Sequence, residues 1–347
     1  MTKILSTIVG FIFFGSIASA QLTEFSQGDI LSAGAMNQNF NHLQNQFALN
    51  KTEVDCSSDN LTEKINQGYN HLSISGECSV DNIFAGIVDV SIFCGHSQSN
   101  NLVSRLKISG KTGKSSDKLT VSGSKSCDGN LSALMDGTIE LENLTIKAKY
   151  ISAIRGANIF VKNSILEKSA SEANATASNG GHIALNNVTS TQDFGVFIKT
   201  GGDLVLKDFS TNGQMSIDQN SSFDGDNVTV KVFSMDSSSG NVTNLNIDCS
   251  SDGPCLSLYR NSSLEMSDST IVGPSNRHSI YLERSELWVK NSSITPARDD
   301  SGEIIRILNS YLKVDSGNTI PGKIGCHTNS YTMGTSSLTT SGCTNFD

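Results

Sequence analysis

SLEMSDSTIVGPSNRHSIYLERSELWVKNSSITP, residues 263–296, contains one short pattern twice. Leu264, Met266, Asp268 and Ile271 recur as Leu287, Val289, Asn291 and Ile294, 23 residues further on. A shorter apolar pair precedes each copy across a polar turn: Leu256 and Leu258 before the first, Ile280 and Leu282 before the second. Alternation of apolar and polar residues buries one face of a strand, and runs this short leave no room for a helix of ordinary length. A unit that recurs in this way cannot bury its apolar face alone and has to stack on its neighbours. The stretch therefore reads as two coils of a solenoid.

The template apolar-x-apolar-x-Asn/Asp-x-x-apolar extends well beyond this stretch. It fits Ile139, Leu141, Asn143 and Ile146, then Ile159, Val161, Asn163 and Leu166. Looser copies hold Ile183, Leu185 and Asn187; Leu204, Leu206 and Asp208; Phe223, Asn227 and Val230; Val242, Asn244 and Ile247; a worn last one has Leu312, Val314 and Ser316. From Asn143 to Ser316 the eight steps cover 173 residues, about 22 per coil. Asn or Asp after the second strand adopts a positive φ at lower cost than other non-glycine residues. Stacked in register, these side chains can bond from coil to coil as a ladder.

Coils of this kind resemble the right-handed parallel β-helices of the pectate-lyase-like class, over about residues 54–325. The resemblance implies an all-β, single-stranded right-handed parallel β-helix with three strands per coil and an asparagine ladder after the second strand. It says little about activity, because that fold serves lyases, hydrolases, esterases, tailspikes and adhesins alike.

Residues 1–20 read as a secretory signal peptide: Lys3, an apolar run from Ile4 to Ile17, and Ala18-Ser19-Ala20 as cleavage site. No later apolar run is long enough to span a bilayer, so the mature chain is expected in the extracellular space, on the cell surface or in the periplasm. With 25 basic against 34 acidic residues, the formal charge of −9 argues against nucleic acid as a partner. Eight cysteines in an exported chain point to disulfides. Cys56 and Cys78, 22 residues and one coil apart, would stack about 5 Å apart. Cys249 with Cys255 would close a short loop and Cys326 with Cys343 would tie the tail, which leaves Cys94 with Cys127. No CxxC pattern points to a metal, and His42, His71, His182 and His327 are scattered without metal-ligand spacing.

Between the signal peptide and the solenoid, residues 21–52 carry a helical stripe of Met36, Phe40, Leu43 and Phe47 with Ser32 as N-cap. About two heptads do not make a stable isolated helix. The stripe either joins three chains as a stalk through residues 33–50, as the short stalks before some secreted β-helices and tail fibres do, or folds back on its own solenoid. In the solenoid, residues 53–347, Asp59 is expected to cap a short helix holding Leu61 and Ile65 that Gly68 ends and that shields the first coil. Leu72 and Ile74 are expected to begin the first strand, and residues 321–347 to form a C-terminal cap.

Two sets of candidate functional residues emerge. Trp288, the sole tryptophan, and Tyr281 each sit between two inward residues and so point outward. Stacking puts Glu265, Trp288 and Lys313 in one external column and Ser257, Tyr281 and Arg306 in another. Exposed aromatics on a strand face suit sugar rings or a protein partner, which predicts a polysaccharide or cell-surface partner bound around Tyr281 and Trp288. In enzymes of the resembled class, catalytic groups lie outside the first strand and in the loops before it, which draws attention to His278, Asp299, Asp300 and Arg306. The carboxylate pair suits acid/base work or Ca²⁺. The Asn-Thr-Asp and Gly-His-Gly motifs of polygalacturonases and any pectate-lyase signature are missing. The sequence thus favours an exported non-enzymatic binding module, with a polysaccharide lyase or glycoside hydrolase as the alternative. Asn143, Asn187, Asn227, Asn261 and Asn291 also begin glycosylation sequons, and all but Asn261 fall on the ladder, where the amide is expected to be committed to the turn.

Overall fold

The computed structural model describes residues 50–86, 103–123, 129–169, 173–190, 192–249, 254–274, 278–295, 303–334 and 338–346. The expected signal peptide, the expected helical stripe with its trimer reading, Cys94, Cys127, Asp299 and Asp300 lie outside the described residues. The chain divides into Met1–Asn50 and Lys51–Asp347, and the second unit is the solenoid.

The solenoid is all-β, of the right-handed type, with about 12 turns of about 21 residues and almost no helix. Among the described residues the coils pair only in parallel. The first strand of each coil belongs to a 12-stranded sheet, while the second and third belong to a 19-stranded sheet that bends between them. In Asn158–Lys168 and His182–Ser190 those two strands run through the bend as one, and in Ser263–Ser267 and Thr270–Val272 they are separate. The register step varies: Asn158 pairs with His182, Asp203 with Ser222, Ser222 with Ser239, and Ser263 with Glu286. The inward residues form one continuous apolar core, with Phe194, Phe209 and Phe233 among its largest fully buried side chains.

Positive φ marks the bend in every regular coil: Asn143 (58°), Asn163 (50°), Asn187 (51°), Asp208 (50°), Asn227 (55°), Asn244 (57°), Asp268 (51°) and Asn291 (48°). The ladder forms as expected. Asn187 Nδ2 donates to Asn163 Oδ1 at 2.9 Å, Asn227 to Asp208 at 2.7 Å and Asn244 to Asn227 at 3.1 Å, and Asn291 donates to Asp268. It runs along the outside, however, since Asn187, Asn227 and Asn291 are exposed. The left-handed residue throws its side chain outward and turns the next one inward, so commitment to the ladder and exposure coexist.

A second positive-φ corner, before the second strand, was not read from the sequence. It is occupied by Gly156, Gly180, Gly201, Asn220, Ser237, Asn261, Arg284, Asn309 and Asn329. The residue after it has to fit inside: a Cβ on Gly181 would lie 2.1 Å from the Ala153 carbonyl oxygen. From the middle of the solenoid onward this place belongs to Ser221, Ser238, Ser262, Ser285, Ser310 and Ser330, all buried. Ser285 Oγ donates to Glu283 O at 2.9 Å, and Ser310 Oγ accepts the Ser285 amide at 3.0 Å. Buried polar groups need such partners. At the ladder bend Ser164, Ser269 and Ser292 act alike, whereas Val188, Phe209, Val228 and Leu245 fill the same place in the intervening coils.

The N-terminal end departs from expectation. Lys51–Asp55 is a strand paired with His71–Ser75, so the stack begins before Leu72. The helix Leu61–Asn66 follows, capped by Asn60, whose Oδ1 accepts the Glu63 amide at 3.1 Å. Asp59 instead accepts the Asp55 amide, which holds the turn before the helix. Leu61 is buried, and the helix packs near Glu77–Val80, a strand whose described partner is Lys118–Val121. Cys56 bridges Cys78. Because Asp55 pairs with Ser75 and the step there is 20 residues, the bond reaches round the corner from one strand to the next. Cys249–Cys255 and Cys326–Cys343 are also bridged. Asp117 pins the loop after Arg105–Gly110: its buried carboxylate accepts from the amides of Thr112, Gly113 and Gly76 and from Thr112 Oγ1.

Candidate functional site: a groove beside Trp288

Along the second strands, outward residues form columns parallel to the solenoid axis, at about 4.8 Å per coil. One column contains Asn158, His182, Asp203, Ser222, Ser239, Ser263, Glu286 and Tyr311. The next contains Phe160, Ala184, Val205, Asp224, Asn241, Glu265, Trp288 and Lys313. The sequence-derived column Glu265, Trp288 and Lys313 is thus in register. Small residues, Ser222, Ser239, Gly240 and Ser263, lower the floor between Asp203 at one end and Trp288, Tyr311 and Lys313 at the other. The result is an open groove of about 510 Å³. Inside, Phe223 fills the room left by two glycines: a Cβ on Gly225 would lie 2.6 Å from its Cζ. Its ring meets Phe233 edge-on at 5.3 Å.

Trp288 is half-buried and held. Its Nε1 donates to Asp315 Oδ2 at 2.8 Å, and the Lys313 ammonium lies 3.4 Å from the indole centroid, where a cation is attracted to the π face. Lys313 also lies 3.7 Å from Asp315. The Glu265 side of the ring borders the groove. At the far end, Asp203 joins two neighbours: its Oδ2 lies 2.7 Å from His182 Nδ1, and its Oδ1 accepts the Ser222 hydroxyl. His182 in turn packs against Phe160, with ring centroids 5.6 Å apart. The sequence reading left His182 unpartnered. The available signal was Asp203, 21 residues on and in phase with it. Asp203, Asp224, Glu286, Tyr311 and the serine floor were also missed, because a groove depends on how the coils sit and not on any one repeat.

Tyr281 does not share this face. It lies on the 12-stranded sheet, and the positive-φ corner at Arg284 (49°) separates it from Trp288, so the expectation of one face around both aromatics is corrected. Its column with Ser257 and Arg306 is in the expected register, but Ser257 is buried, so only Tyr281 and Arg306 of the three are partly exposed. Tyr281 packs at 5.7 Å from Tyr259 and is stacked with His278 at 6.2 Å. Burial, then the Glu283 carboxylate that accepts its hydroxyl at 3.3 Å, pushes the phenol up from its ordinary value. Nearby, Glu303 lies 3.6 Å from His327 Nε2. Of the candidate catalytic quartet, His278 and Arg306 therefore flank Tyr281, away from the groove, and Asp299 and Asp300 fall outside the described residues.

Among the described residues no group of three or more His, Cys, Asp or Glu side chains could hold a metal ion, and no helix is long and apolar enough to cross a membrane. No protein-family model matches the chain, and no curated protein matches it. Among solved structures it is similar to the catalytic domain of a GH87 alpha-1,3-glucanase in complex with nigerose. The identity is 12% and the TM-score 0.29, over 86% of this chain and 68% of that one. At that TM-score the likeness assigns neither family nor activity.

Proposed function

We propose that the protein is an exported, non-enzymatic β-solenoid that binds carbohydrate along the outer face of its second strands. The supporting observation is the groove, an open trench that combines an aromatic wall (Trp288, Tyr311), serine hydroxyls and carboxylates along the solenoid axis. Sugar rings stack on π faces while their hydroxyls take polar partners at the edges. Trp288 is fixed in advance by Asp315 and Lys313, so binding costs little side-chain ordering there. From Phe160 to Trp288 the column advances six coils, about 29 Å, room for an extended oligosaccharide. The three disulfides among the described residues suit an oxidising, extracellular compartment.

The test is a glycan array with wild type and Trp288→Ala. Retention of at least one glycan, weakened about tenfold or more in the variant, is expected; tenfold corresponds to about 1.4 kcal/mol. Absence of any bound glycan, or binding indifferent to Trp288, refutes the reading. Parallel incubation with polysaccharides, with and without Ca²⁺, follows unsaturated products and reducing ends. Product formation would replace the binding module with a lyase or hydrolase.

A further inference from the structure

The charge of the groove narrows the class of glycan. Its lining holds four carboxylates, Asp203, Asp224, Glu265 and Glu286, against one cation, Lys313, a formal balance of −3 from four minus one. Asp203 is engaged by His182 and Ser222, and Lys313 by the Trp288 ring and Asp315. Asp224, Glu265 and Glu286 are exposed and make no ion pair among the described residues. Lys207 and Lys290, two positions along their strands from Val205 and Trp288, stand outside the lining. The whole chain carries −9, so the surrounding field reinforces the local one.

An anionic polysaccharide would be repelled by this trench, and a neutral one would leave its charges unmatched. We propose that the ligand is an amino-sugar chain with free, protonated amines. Its rings would stack beside Trp288 and Tyr311, and its ammonium groups would meet Asp224, Glu265 and Glu286, which recur along the axis as sugars recur along a polymer. This inference rests on the carbohydrate-binding reading above and adds the charge of the ligand to it.

The experiment is titration calorimetry on the mature protein with four probes: a β-1,4-linked glucosamine oligomer, its fully N-acetylated form, a galacturonate oligomer of equal length, and poly-lysine. The glucosamine oligomer should bind about tenfold or more tightly than the acetylated form at low salt. The ratio should shrink as salt screens the exposed charges. Glu265→Gln and Glu286→Gln should each weaken the amine form about two- to fivefold more than they weaken the acetylated form, the scale of an exposed charge pair. Trp288→Ala should weaken both. Equal affinity for the amine and acetylated forms, or tighter binding of galacturonate, overturns the proposal and leaves the carbohydrate reading standing. Poly-lysine bound as tightly as the glucosamine oligomer overturns it in favour of a cationic peptide. Binding of none of the three sugars overturns the proposal, and the carbohydrate reading falls with it only if the glycan array is empty as well.

Discussion

Replacing Ser269 by Ala tests whether the buried serines hold the coils together. Ser269 follows the left-handed Asp268 and is 2% exposed. Its Oγ donates to Ser267 O at 2.7 Å and accepts the Leu245 amide of the preceding coil at 3.0 Å. Its own amide donates to Ser292 Oγ at 3.0 Å, a bond that alanine keeps. The substitution removes one oxygen and strands the Leu245 N–H in a dry corner. An unsatisfied buried donor costs about 1–3 kcal/mol and the lost donation about 1 more, so about 2–4 kcal/mol is expected. With a urea slope of about 3 kcal/mol/M the midpoint falls by roughly 1 M. Circular dichroism and the single tryptophan both follow the transition. Because a solenoid can open locally, hydrogen exchange supplies the decisive readout: the Leu245 amide should lose protection before amides several coils away. Ser293→Ala, on the outward side of the next coil, serves as control and should stay within about 0.5 kcal/mol. An unchanged midpoint together with an unchanged Leu245 amide would refute the reasoning.

Two further outcomes follow from the corners. Gly181→Ala puts a methyl 2.1 Å from a backbone oxygen and should cost about 3 kcal/mol or more, whereas Gly201→Ala, at φ 70° with no atom within 4 Å, should cost only about 1–2 kcal/mol; thermal unfolding giving the reverse order contradicts the packing account. At Asp117, burial opposes ionisation, but the donors of Thr112, Gly76 and Gly113 outweigh it and hold the carboxyl below its usual range. A depressed folded value contributes stability above the unfolded pKa near 4, lost as pH falls through the folded value. Asp117→Asn should therefore be less stable than wild type by about 1–3 kcal/mol at neutral pH, with the gap closing below about pH 4 in urea titrations.

The sequence was legible where one residue type carries a backbone demand. Asn and Asp are cheap at positive φ, so the ladder bend could be located coil by coil. The other corner is filled by Gly, Asn, Ser and Arg in turn and leaves no such trace. Inward serines escaped notice because serine is common in this chain and its burial depends on a carbonyl two residues back and an amide one coil away. Strand alternation placed Trp288 and Tyr281 outward correctly, but alternation does not say how far the chain turns between them. The Arg284 corner put them on different faces. The groove was illegible for a similar reason: its floor is a set of small residues from successive coils, and its depth comes from differences between coils that a repeat template averages away.

The outer ladder has a direction. The amides of Asn187, Asn227, Asn244 and Asn291 each donate toward the N-terminal end, to the oxygen of the coil before, so their side-chain dipoles line up head to tail. An aspartate in that row can only accept. Asp208 and Asp268 therefore end the relay from their N-terminal neighbours and begin a new one for the residues after them. The row is cut into Asn163–Asn187, Asp208–Asn227–Asn244 and Asp268–Asn291. The two later runs start with a fixed negative charge at the acceptor end of their dipoles, so a seemingly uniform stack contains built-in phase boundaries that fall between particular coils.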